Sequence, residues 1–205
     1  MKKKKDPRVI RTHQLLRKAL IELMEERDLE QITVQEIAER ATIKRATFYL
    51  HFEDKQALVH QYVDEILTEL SESIIVPMNK SSEHFDIHAG KVHPNFLKLF
   101  HHITDNYNLF YALLVRNRVA YFVTKLGSVI HDFILSGINW TEPNDTNLTA
   151  PREVIIKFVE SAFLEVIVWW IENNRPYSEE EIATHLLNLS VLGPYKHIPQ
   201  RSGGG

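Results

Sequence analysis

Apolar residues recur at three- and four-residue spacing along almost the whole chain, and alternating runs are scarce. The pattern predicts an all-α fold of about nine helices. Asp6-Pro7 marks a helix start, with aspartate as N-cap and proline in the first turn. Leu16, Leu20, Leu23 and Met24 then form one stripe, so the first helix runs to about Arg27. Thr33-Val34-Gln35-Glu36 is a capping box opening a short second helix that ends near Ala41. Only Thr42 to Lys44 separate it from a third short helix over Arg45 to His51. Asp54 caps a long fourth helix carrying Leu58, Tyr62, Ile66, Leu67 and Leu70.

From Val76 to Pro94 proline, serine, glycine and histidine interrupt any apolar period, which reads as a linker or irregular loop. Helical spacing resumes over 95–105, 107–115 and 118–137. Gly137 to Pro151 reads as a second loop. Pro151-Arg152-Glu153 opens a helix to about Asn174, and Ser178 with Glu181 caps a last helix that stops before Gly193-Pro194. The division expected is residues 1–60 as one domain, 61–195 as a second, and 196–205 as a disordered tail.

Composition narrows this picture. The 205 residues contain no cysteine, which removes disulfides and thiol chemistry and fits a reducing compartment. The longest apolar run, Leu109 to Val115, falls far short of the ~18 residues a membrane helix needs. Arg11, Arg17, Lys18 and Glu22 break up any signal-peptide core behind the opening lysines. The expectation is a soluble cytoplasmic protein. Net charge is −3, but residues 1–60 carry 13 Lys and Arg against 10 Asp and Glu, and the remainder 11 against 17. A basic front on an acidic body points to an anionic partner for the front alone.

The two short helices, their tight turn and the preceding longer helix describe a helix-turn-helix unit. Ile32, Val34, Ile37, Ala38, Ile43, Phe48 and Phe52 are spaced to form its core. The polar remainder of the third helix is Lys44, Arg45, Thr47, Tyr49 and His51. These types suit a major groove: cations for guanine acceptors or phosphates, hydroxyls and an imidazole for phosphates or base edges.

The stretch TVQEIAERATIKRATFYLHFEDKQAL, Thr33 to Leu58, resembles the DNA-binding signature of TetR-family transcriptional regulators. The matching positions are Thr33, Ile37, Ala38, Ala41, Thr47, Phe48, Tyr49, His51, Phe52 and Lys55. The resemblance implies phosphate contacts from Thr33, Tyr49 and Lys55, with Lys44, Arg45, Thr47 and His51 facing the groove. It also suggests that Lys2 to Lys5 form a basic arm. Two departures stand out: Thr42 stands where the family usually has glycine, and Asp28-Leu29 where it usually has a glycine-aromatic pair. Thr42 is therefore expected at positive φ, which a β-branched residue disfavours.

The rear of the chain fits a helical ligand-binding and dimerisation domain, as the resemblance implies. The helix from Arg152 to Asn174 is apolar on most of its circumference, which demands burial on several sides. Phe158, Ala162, Val166 and Trp169, with Ile182, Leu186 and Leu189 of the next helix, are the expected homodimer interface. Phe96, Phe100, Phe110, Leu114, Phe122, Phe133 and Phe163 are candidates to line a small-molecule site.

His84, Asp86, His88 and His93 are spaced loosely enough to raise a metal question, but no supporting ligand pattern accompanies them. Nothing calls for a cofactor, and no catalytic signature stands out. The expected function is a dimeric regulator on palindromic double-stranded DNA, most simply a repressor released by a ligand. An activator or co-activator working through a protein partner stays open, as does a helical-bundle metalloenzyme.

Overall fold

The computed structural model describes residues 6–75, 94–141 and 143–193. Lys2 to Lys5, the histidine-rich stretch from His84 to His93 and the 196–205 tail lie outside the described residues.

The first helix, α1, spans Pro7–Glu26, and the Asp6 carboxylate accepts the Arg8 amide proton at 2.8 Å. Leu16, Ala19, Leu20, Leu23 and Met24 form its buried stripe. A single 3₁₀ turn, η1 (Leu29–Gln31), leads into α2 (Val34–Arg40). The expected capping box is complete: the Thr33 hydroxyl accepts from the Glu36 amide, and the Glu36 carboxylate accepts from the Thr33 amide at 2.9 Å. These bonds hold the Glu36 carboxyl below its ordinary pKa, the Thr33 amide contributing most. Helix α3 (Arg45–Tyr49) follows, then α4 (Lys55–Ile74), capped by Asp54 as predicted.

Helix α5 (Pro94–Asp105) packs against α4, and α6 (Tyr107–Phe110) runs on into a π-helical segment, π1 (Tyr111–Arg116). Helix α7 (Ala120–Thr141) lies between α4 and α8 (Arg152–Glu172), while α9 (Glu179–Leu192) packs on α5. The described residues thus contain nine α-helices and no strand. No single described helix is long and apolar enough to cross a membrane.

One expectation fails at Gly137. The sequence reads it as the start of a loop, whereas α7 continues to Thr141. Glycine in a helix costs roughly 1 kcal/mol relative to alanine. Continuing the helix keeps Ile138 one turn beyond Ile134, and both pack on the core, a gain on the order of 1–2 kcal/mol that offsets the glycine.

A continuous core runs from α1 through α4 into α5, α7, α8 and α9. No polar or charged side chain is fully buried among the described residues. Helix α4 therefore belongs to both ends: its first turns close the front helices and its later turns pack with the rear ones.

Candidate nucleic-acid interface

The turn between α2 and α3 closes as a Schellman motif. Ile43 N donates to Ala38 O at 2.9 Å and Thr42 N to Glu39 O at 3.0 Å. This geometry needs a left-handed residue next to the helix C-cap. Thr42 supplies it with φ of 57°, as its place in the motif predicts. The left-handed conformation costs a non-glycine residue roughly 1–2 kcal/mol, so this turn is strained.

Beyond the turn, Phe48 is fully buried and Phe52 nearly so, their rings 5.7 Å apart. They clamp α3 onto α1 and α2. The opposite side carries the polar set. Lys44 and Arg45 are exposed, Tyr49 is 47% exposed and Leu50 82% exposed. The Arg45 guanidinium lies 5.4 Å from the Tyr49 ring centre and donates to its hydroxyl at 3.3 Å. The pair holds each partner extended along one face. Thr47 and His51 are half-buried. His51 meets the edge of His13 from α1 at 5.1 Å, and His13 also contacts Phe52 and Gln61.

Two expected phosphate ligands are already engaged within the chain. The Thr33 hydroxyl gives its proton to the Glu36 carboxylate at 2.8 Å. Lys55 Nζ donates to the carbonyls of Leu29 at 2.6 Å, Ile32 at 2.7 Å and Glu30 at 3.3 Å. The orientation of α2 is reinforced by Arg40, which reaches Glu26 at 2.8 Å, and by Arg27, which reaches Glu36 at 2.8 Å.

The front is joined to the rear by residues at the end of π1 and just after it. Asn117 Oδ1 accepts the Leu29 amide proton at 2.5 Å, and Arg116 donates to Glu26 O at 2.7 Å. Sequence reasoning misses Asn117: in Arg116-Asn117-Arg118 it looks like any solvated loop residue. Nearby, His60 of α4 stacks on Tyr121 of α7 at 3.9 Å.

In the rear, the seven candidate ligand-site residues divide into groups. Phe96, Phe133 and Phe163 form one aromatic cluster, with ring centres 5.0 and 5.3 Å apart. Phe110 meets Phe122 at 5.2 Å, whereas Phe100 contacts Trp170 instead. Leu114 is fully buried in π1.

Of the expected interface residues, Phe158 is 69% exposed and Trp169 44%, with Ala162 and Val166 half-buried between them on α8. Leu189 is also exposed. Ile182 and Leu186 are a correction: they are buried inside the chain where α9 packs on α5. Both apolar faces of α9 are buried in its first turns, Ala183 and Leu187 together with Ile182 and Leu186, and its exposed apolar residues, Leu189, Val191 and Leu192, lie in the last turns.

The chain's likeness to known proteins agrees with this geometry. A family profile described as "Bacterial regulatory proteins, tetR family" matches residues 16–62, and one described as "Transcriptional regulator C-terminal region" matches residues 90–191. The uncharacterized HTH-type transcriptional regulator YxbF of Bacillus subtilis is 21% identical over 94% of this chain. The chain spans about half the length of that curated relative, 48%. A TetR transcriptional regulator from Streptococcus agalactiae superposes with a TM-score of 0.67 at 21% identity, covering 91% of this chain and 97% of that one. The regulator FadR from Bacillus subtilis, solved with stearoyl-CoA, superposes with a TM-score of 0.62 at 16% identity, covering 89% and 99%. The matched signature, its helix-turn-helix geometry and the helical rear together place this chain in the TetR family of bacterial transcriptional regulators.

Proposed function

We propose that the chain is a homodimeric, sequence-specific DNA-binding repressor released from a palindromic operator by a small molecule. One observation carries the reading: α3 is pinned from below by Phe48 and Phe52, while Lys44, Arg45, Tyr49 and Leu50 stand exposed on its outer side. A short helix held rigidly with such a face is what major-groove readout requires. In this reading Arg45 addresses base edges, Tyr49 and Lys44 the flanking phosphates, and Thr47 and His51 the groove wall. A phosphate reached by Thr33 accepts the hydroxyl hydrogen bond that the Glu36 carboxylate accepts in the free chain.

The stripe on α8, exposed at Phe158 and Trp169 and half-buried at Ala162 and Val166 between them, together with exposed Leu189 on α9, supports a two-fold interface. A dimer sets two α3 helices at successive grooves. The aromatic groups around Phe96, Phe133 and Phe163, and around Phe110 and Phe122, are proposed to receive the ligand. No residue around them is both polar and fully buried among the described residues, which favours an apolar ligand portion, and the His102 ring beside Phe110 adds one buried Nε2 without a partner. The FadR structure with stearoyl-CoA offers a precedent for an acyl chain in this fold. Ligand binding shifts the population toward a spacing of the two front units that no longer fits the operator.

Selection from a random-sequence duplex library, followed by footprinting, tests the proposal. A symmetric protected site supports it. Retention of duplexes without sequence preference contradicts it.

A further inference from the structure

The outward side of α3 is ordered in two rows. Arg45 and Tyr49 stand one turn apart and form the first, joined by their hydrogen bond at 3.3 Å. Ala46 and Leu50 stand one turn apart beside it and form the second. Leu50 is the C-cap with helical torsions, and its amide donates to Ala46 O at 3.3 Å. Both residues of the second row are exposed. At 82% exposure Leu50 exceeds every other large apolar side chain among the described residues, and it takes no part in the core.

A single exposed leucine is commonplace on a protein surface. The place of this one is not. It follows directly on Tyr49 and shares the outer side of α3 with Lys44 and Arg45, the side proposed above to enter the major groove. A leucine side chain neither donates nor accepts a hydrogen bond. Set against guanine, adenine or cytosine, it covers polar base edges and leaves them without a partner, which costs affinity. Thymine alone presents an apolar group in the major groove, its C5-methyl. The methyl of Ala46 suits the same contact.

We infer that Leu50 is a specificity-determining residue, which together with Ala46 reads a thymine C5-methyl in each half-site of the bound duplex. The inference rests on the DNA-binding reading and adds to it one base type and the residue that demands it.

The test uses the full chain, the variants Leu50→Ala and Leu50→Met, and the duplex that the wild type selects from a random-sequence library. Each thymine position of the half-sites is replaced in turn by deoxyuridine, which deletes the methyl and keeps base pairing and charge. At one position the replacement is expected to weaken wild-type binding by about fourfold per half-site, the size expected for burying one methyl group. Leu50→Ala is expected to bind the thymine duplex more weakly by a similar factor and to be indifferent to the same replacement, so that the two losses do not add. Leu50→Met, still apolar and of similar reach, is expected to keep its sensitivity to the methyl. Leu50 is so exposed that neither variant opens a cavity in the fold. An equal response to deoxyuridine in wild type and Leu50→Ala overturns the inference. So does a loss in Leu50→Ala that is the same for the selected and a scrambled duplex, which marks a sugar contact instead. Selected half-sites without a shared thymine overturn it as well. In these three outcomes the DNA-binding reading survives; if the wild type selects no duplex at all, that reading falls and the inference with it.

Discussion

Asn117 and Leu29 join the two ends of the molecule across 88 residues of sequence. The side-chain carbonyl of Asn117 accepts the Leu29 amide proton at 2.5 Å, and its amide group donates to Met24 O at 3.4 Å and Ala112 O at 2.9 Å. One side chain thus links π1, the end of α1 and η1. Removing it leaves partly buried backbone groups without a partner, at a cost of about 1–3 kcal/mol. Asn117→Ala is expected to lower urea-unfolding stability by that amount. Asn117→Asp keeps the acceptor for Leu29 and should show only part of the loss. Equal stability in all three proteins contradicts the link.

Thr42 gives a prediction of opposite sign. Its φ of 57° is left-handed, where glycine is at no disadvantage. Thr42→Gly relieves strain but adds freedom to the unfolded chain. The net expectation is a gain of about 1 kcal/mol, the two effects opposing each other. Thermal or denaturant unfolding reads it. A loss of stability means that the threonine side chain makes a compensating interaction.

His102 makes stability depend on pH. Burial lowers its pKa from the ordinary 6.5, outweighing Glu69, the Ile66 backbone and Asp105, which act the other way. Its Nε2 is buried without a hydrogen-bond partner among the described residues. The folded state therefore favours the neutral ring. This contribution is complete above pH 6.5, because neither state then holds the proton. As pH falls below that value the unfolded chain takes up a proton first and stability declines, until the folded ring also protonates. Stability of His102→Gln should fall less steeply than wild type over the same range. Parallel profiles contradict the assignment.

Phe158 offers the simplest check of the dimer. At 69% exposure it is the most exposed of the large apolar side chains on α8. Phe158→Glu places a charge in the proposed interface, where burying it unpaired costs several kcal/mol. Sedimentation should show a monomer with an unchanged helical spectrum. A dimer that survives the change moves the interface elsewhere.

The helices were legible because their caps are local. Asp6, Thr33, Asp54 and Ser178 each bond within their own first turn, so sequence spacing suffices to find them. Thr42 was legible through the family resemblance, which puts a glycine at its place in the turn. Gly137 misled because a weak local preference yields to the packing of Ile138, and packing is not local. Ile182 and Leu186 misled because spacing along α9 does not show that its first turns are enclosed by the chain's own packing while its last turns stay exposed. Lys55 and Asn117 were hidden most deeply, since both act on backbone groups that carry no side-chain signature. The polar face of α3 and the Thr33–Glu36 capping box could be read from the sequence, whereas the engagement of Lys55 within the chain could not.

The central claim is that α3 reads DNA through Arg45. Wild type and Arg45→Ala should be titrated, at two salt concentrations, against the selected duplex and a scrambled duplex of equal length. The account predicts a salt-dependent preference of the wild type for the selected duplex. It predicts that Arg45→Ala loses about 1–3 kcal/mol of that preference and keeps most of its affinity for the scrambled duplex. Wild-type binding with neither sequence preference nor salt dependence, or full selectivity in Arg45→Ala, would contradict it.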